Sequence, residues 1–189
     1  MEHTANISSS VIERQSIVRQ AIWIGGFALA TAIGAQVEIP HQPVPFTLQT
    51  FFVLLSGAML GKRNGAISQV LYLFIGALGL PVFSHWGFGI ARLVGPTGGY
   101  LFSFPIAAFI VGYLLHHRAS LLWSFTAMTV GLLIIFSFGT LQLNFVYFHN
   151  WSDAFFNGFL IFSWWDVVKL AGAAMIYHQF ARTGISKNM

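Results

Sequence analysis

Cysteine is absent from this chain of 189 residues, which excludes disulfides, thiolate metal sites and a cysteine nucleophile. Charge is scarce as well. Asp, Glu, Lys and Arg together make up 7% of the residues, against roughly 25% in an ordinary soluble domain. A soluble domain so short of charge could not cover its surface with groups that prefer water. No phosphate loop is present: Gly95-Pro-Thr-Gly-Gly99 lacks the Lys-Ser/Thr that such a loop requires. There is no His-Glu-x-x-His and no Gly-x-Ser-x-Gly, and the seven histidines are scattered, with His116 and His117 reading as a solvated loop. No metal site, cofactor or catalytic triad is therefore expected, and the chain does not read as an enzyme. The basic residues form no cluster, so a net charge of +4 does not suggest a nucleic-acid partner.

What is present is apolar surface: 56% hydrophobic residues, 16% aromatics and a mean hydropathy of +0.72. The lipid bilayer is the expected solvent. A bilayer span needs about 20 apolar residues, from roughly 17 to 25. Six stretches meet or approach this, at 17–36, 47–60, 65–80, 99–115, 120–147 and from Trp164 to near Phe180. Residues 1–16 read as a polar tail, 17–182 as the transmembrane domain and 183–189 as a second polar tail. The start of the chain lacks the order of a signal peptide, so the first apolar run is expected to be kept as a helix. With the N-terminus placed in the cytoplasm, Arg14, Arg19, Lys62, Arg63, Arg118, Arg182 and Lys187 fall inside, seven of the nine basic residues. Only Arg92 falls outside, and Lys169 lies within the last helix. That asymmetry follows the positive-inside rule. The expectation is an all-α, six-transmembrane-helix integral membrane protein with both termini cytoplasmic, multi-pass in a bacterial-type cell membrane.

The two long outer loops carry the unusual residues. Residues 37–46 hold three prolines, Pro40, Pro43 and Pro45, which stiffen and extend the segment. Residues 79–98 are rich in glycine and aromatics and contain Arg92. Asp166 and Lys169, three residues apart in an apolar helix, are functional candidates because an isolated charge in hydrocarbon is costly. On the residues alone, Asp166 could equally cap the helix through Ser163-x-x-Asp166 and pair with Lys169; both readings can hold together. Arg92, Lys169 and Asp166 together carry one net positive charge, and a helix N-terminus at Thr97-Gly98-Gly99 adds a favourable dipole. These features favour an anion, and an Arg fork fits a carboxylate. Phe46, Phe83, Trp86, Phe88, Tyr100, Trp164 and Trp165 could enclose an apolar body. The expected ligand is a small, partly apolar carboxylate taken from outside. Helix 1 also carries small residues four apart (Ala28/Ala32, Gly26/Ala30, Ala30/Gly34), a spacing that permits close helix approach in lipid.

Five motifs carry a resemblance: Val44-Pro-Phe-Thr-Leu-Gln-Thr50, Leu60-Gly-Lys-Arg-Asn-Gly65, Gly79-Leu-Pro-Val-Phe83, Gly95-Pro-Thr-Gly-Gly-Tyr100 and Asp166-Val-Val-Lys-Leu170. In order and spacing the chain resembles the BioY family, the biotin-specific substrate-binding subunits (S components) of energy-coupling-factor transporters. The match runs from about Gln36 to Leu115 and again near 160–175; residues 118–160 match in hydropathy alone. The resemblance implies the six-helix S-component fold, capture of biotin from outside, a lid at residues 37–46, and partners in a transmembrane coupling (T) subunit and two ATPase subunits. It implies that Arg92, Asp166 and Lys169 bind the substrate and that Ala28 and Ala32 contact the coupling subunit. Gln49 and Tyr100 are further hydrogen-bonding candidates, and which cation meets the carboxylate stays open. An S component for another vitamin is the alternative. One departure stands out: the family often has Pro-Gly before the helix 6 Asp, where this chain has Trp164-Trp165.

Overall fold

The computed structural model describes residues 2–116, 120–160 and 163–183, with side chains from residue 17 onward and, in the last helix, from residue 165. The protein is 82% helical, as the all-α expectation requires. Helix α1 spans Glu2–Gln36, so residues 2–16, read from sequence as a tail, have helical backbone; extending a helix already nucleated at 17–36 fixes few further dihedrals per bond gained. Two short strands follow, β1 (Glu38–Ile39) and β2 (Phe46–Thr47), paired antiparallel as Glu38↔Thr47 and Ile39↔Phe46.

Helix α2 (Gln49–Ala77) is broken at one residue, Gly61, whose φ of 76° and ψ of 177° suit glycine alone. The chain folds back there into a helical hairpin. Gly57 faces Gly65, where an added Cβ would come within 2.8 Å of the Gly57 Cα. Further from the turn, Gln69 donates to the Ser56 hydroxyl (3.1 Å) and Gln49 to the Tyr72 hydroxyl (2.6 Å). A short helix α3 (Ile90–Val94) precedes α4 (Gly98–Leu115), which packs along this hairpin: a side chain at Gly57 would run into the Ala108 carbonyl, and one at Gly112 into the backbone at 61–62. Helix α5 (Leu121–Leu143) lies antiparallel to α4 and continues as a single π-helical turn, Asn144–Phe148. The short α6 (Trp151–Gly158) and the long α7 (Ser163–Thr183) complete the chain.

Among the described residues this makes six long helical segments: α1, the two arms of α2, α4, α5 and α7. Three of them are long and apolar enough by themselves to cross a membrane, at Ile17–Gln36, Gly98–Leu115 and Leu121–Phe148. The core is small and apolar where helices approach most closely, as at Val53, Ala107, Val111, Ala127 and Ala173, all fully buried. Large apolar side chains instead cover the outside, among them Ile22, Leu29, Leu122 and Val167. A water-soluble protein would not tolerate so continuous an apolar surface; a hydrocarbon solvent favours it. The side chains of Arg14, Ser163 and Trp164, and the whole of Arg118 and Lys187, lie outside the described residues.

Candidate functional site

The segments at 37–48, 78–97 and 144–160 gather at one end of the bundle, opposite the tight turn at Gly61. A cavity opens there, enclosing about 530 Å³ of non-atom space with its open mouth included. Its roof is the proline-rich segment, at Val44 and Pro45, with Phe83 and Ser84 from the neighbouring loop. Its walls are aromatic and aliphatic: Tyr100, Leu101 and Phe104 from α4, Ile135 and Phe136 from α5. Its polar side is supplied by Thr47, Gln49, Thr50, Asp166 and Lys169.

That polar side is a tightly connected group. Asp166 and Lys169 sit one turn apart on α7, with side chains 1% and 6% exposed, and form an ion pair at 2.6 Å through Asp166 Oδ1. The Thr50 hydroxyl, from the first turn of α2, donates to the same Oδ1 (2.8 Å) and accepts from Lys169 Nζ (2.8 Å). Lys169 Nζ also donates to the Thr47 carbonyl (2.8 Å). An ammonium has three N–H bonds, and all three are thereby engaged inside the protein. Asp166 Oδ2 is different: it is buried and has no hydrogen-bond partner among the described residues. A buried charged oxygen left unpaired is costly, so this oxygen is the strongest indication of a missing donor.

Gln49 and Tyr100 also line the cavity, but their polar atoms are directed into the protein. Gln49 accepts from Thr47 Oγ1 (2.8 Å) and donates to Tyr72, whose hydroxyl donates to the Val82 carbonyl (3.1 Å). Tyr100 donates to the Gly158 carbonyl at the end of α6 (2.7 Å) and presents its ring to the cavity. Of the aromatics expected from sequence, Phe83 and Tyr100 line the cavity. Phe46 instead meets His41 edge-on at 5.2 Å, and Trp86 and Phe88 are exposed. Phe104, Phe136, Thr47 and Thr50 were not singled out. The two threonines lie inside the Val44–Thr50 motif, where nothing in the residue type announces that they reach α7.

Arg92 is not in this cavity. It is half-buried on α3, its side chain lies against Gly87 (2.6 Å from Nε to an added Cβ), and it lines an adjoining depression with His41, His85, Pro96 and Tyr147. Pro45 borders both spaces. The glycines beside Arg92 serve packing: an added Cβ at Gly98 would meet the Leu93 carbonyl and one at Gly99 the Phe138 carbonyl, and Gln142 donates to the carbonyls of Leu93 (3.1 Å) and Gly95 (2.8 Å). The proline-rich segment is tied to the second loop by Glu38 Oε1 and His85 Nδ1 at 3.2 Å. Gln36 reinforces this, donating to the Phe83 carbonyl (3.0 Å) and accepting from Trp86 N (3.1 Å). On α1, Ala28 is buried at 3% exposure and Ala32 half-buried on the side turned to the core. Gly26, Leu29 and Ile33 are exposed.

The model of the BioY family matches residues 3–185. A biotin transporter BioY of Thermotoga maritima is 45% identical over 159 residues, covering 84% of this chain and 94% of that protein. A probable biotin transporter BioY of Pyrococcus horikoshii is 43% identical over 150 residues, covering 79% and 88%. Among solved structures, the S-component for biotin from an ECF-type ABC transporter superposes with a TM-score of 0.83 over 89% of this chain and 93% of that one, at 22% sequence identity. At that identity the likeness speaks for the fold.

Proposed function

The chain belongs to the BioY family, and on that premise we propose that it captures biotin and delivers it across the membrane as the substrate-binding subunit of an energy-coupling-factor transporter. The observation that carries the reading is the unpaired, buried Asp166 Oδ2 at the polar end of an otherwise aromatic cavity. Biotin has a matching division of chemistry. Its ureido ring offers two N–H donors, its bicyclic body is apolar, and its valerate ends in a carboxylate. The ureido N–H pairs with Asp166 Oδ2, and the body lies among Phe83, Tyr100, Phe104 and Phe136. The valerate runs beneath Pro45 toward Arg92. Lys169 has no free N–H for the carboxylate, so Arg92, with its planar fork, is its partner, and Lys169 supports the site by neutralising Asp166.

The six long helical segments are six membrane crossings with both termini cytoplasmic, which puts the cavity and its lid on the outside of a bacterial-type cell membrane. Partners are a transmembrane coupling subunit and two ATPase subunits; Ala28 and Ala32 are turned to the core, so the contact on α1 is made by its exposed face, where Gly26 lies. The protein binds and moves its ligand without chemical turnover.

Calorimetry on purified protein in detergent tests this. Biotin should bind tightly and remain unchanged, and its amide should bind more weakly because the carboxylate no longer meets Arg92. Binding of thiamin or riboflavin with no binding of biotin would replace the substrate, and equal affinity for biotin and its amide would remove Arg92 from the site.

A further inference from the structure

We infer that Thr50 is a positioning residue for ligand selection: it ties down Asp166 Oδ1 and so decides that Oδ2 alone faces the ligand. The inference rests on the biotin reading above and extends it to a residue that acts through Asp166.

The argument is one of hydrogen-bond valence. A hydroxyl has one donor and two acceptor sites. Thr50 spends its donor on Asp166 Oδ1 at 2.8 Å and accepts from Lys169 at 2.8 Å. Asp166 Oδ1 thus receives two donors, from Thr50 and from Lys169, while Oδ2 receives none among the described residues. A free carboxylate would share its donors between both oxygens. Here the threonine breaks that symmetry from a different helix, 116 residues away in sequence. With the Thr47 carbonyl taking the third ammonium N–H, the cation is prevented from turning into the cavity. The outcome is a pocket floor that presents an acceptor and no donor. It selects a neutral, N–H-bearing head group and rejects an anion at that end, although a lysine stands beside it.

Thr50→Val removes the hydroxyl and keeps the side-chain shape. Loss of one hydrogen bond to a charged group predicts biotin binding weaker by about 10- to 100-fold. Thr50→Ser keeps the hydroxyl and should bind as wild type. The decisive ligand is biotin methylated on its ureido nitrogens, which cannot donate to Oδ2. Its affinity, weak for wild type, should be nearly the same for Thr50→Val, so the preference for biotin over the methylated ligand collapses in that variant. The inference fails if Thr50→Val binds biotin as wild type does, if it loses the same factor for both ligands, or if Thr50→Ser is as impaired as Thr50→Val. Wild-type protein that binds no biotin at all would overturn the functional reading and this inference with it.

Discussion

At the residue scale the protein turns on two charges buried at the ligand cavity. Asp166 and Lys169 neutralise each other at 2.6 Å with almost no exposure. Removing one partner of such a pair leaves the other buried and uncompensated, at a cost of about 3–5 kcal/mol, whereas replacing both by apolar groups can be neutral. Asp166→Leu and Lys169→Met should therefore each lower the melting temperature, and the double variant should recover most of that loss. Binding should behave differently: the double variant lacks the acceptor and should still fail to bind biotin. Thermal melting beside calorimetry separates the two effects, and a double variant that binds normally would show that the pair is structural only. These two residues were legible in the sequence because a charge is conspicuous in an apolar helix. Thr50 was not, because threonine is ordinary in such a helix and its importance arises only when the start of α2 meets α7. Arg92 stood out as the lone outer cation, but its separation from the cavity by Pro45 depends on how two loops pack.

At the element scale the deciding feature is the hairpin of α2. From sequence it read as two stretches, 47–60 and 65–80, joined by a polar loop. The structure reverses the chain at Gly61 alone and keeps Lys62 to Gly65 helical. Hydropathy marks the polar residues and cannot tell a loop from a helix end at the membrane surface. Gly61 and Gly57 make separable predictions. At Gly61 an added Cβ meets nothing within 4 Å, so the cost of Gly61→Ala is purely that of its φ and ψ, about 1–3 kcal/mol. At Gly57 the backbone is ordinary helix, and the obstacle is the Ala108 carbonyl of α4. Gly57→Leu should then loosen α2 from α4 and cost more than Gly61→Ala. Gly26→Ala is the control, with nothing within 4 Å and a gain in helix propensity. Melting curves should rank Gly26→Ala above Gly61→Ala, and Gly61→Ala above Gly57→Leu. Equal melting of the first two would mean that the hairpin turn carries no backbone strain.

At the scale of the whole molecule, composition alone pointed to lipid, while counting helices by hydropathy was harder. The polar residues that interrupt the apolar runs of α1 and α2 are the ones turned inward and paired. The Gln69 amide nitrogen shares its two N–H among the hydroxyls of Thr31 (3.2 Å), Ser56 (3.1 Å) and Ser68 (3.2 Å), all fully buried. Such bonds hold helices together where lipid offers no hydrophobic drive for association, yet they lower the apparent hydropathy of both arms of α2. The proposed topology rests instead on the even number of long helices and on basic residues that collect at the ends without the cavity. Because the chain has no cysteine, that topology can be read without background from single introduced cysteines. Asn64→Cys, beside the Gly61 turn, should react with a membrane-impermeant maleimide in inside-out vesicles and stay unlabelled in intact cells. Phe88→Cys, 60% exposed in the loop beside the cavity, should react in intact cells. The two positions lie at opposite ends of the second arm of α2, so labelling of both from one side would mean that this arm does not cross the membrane.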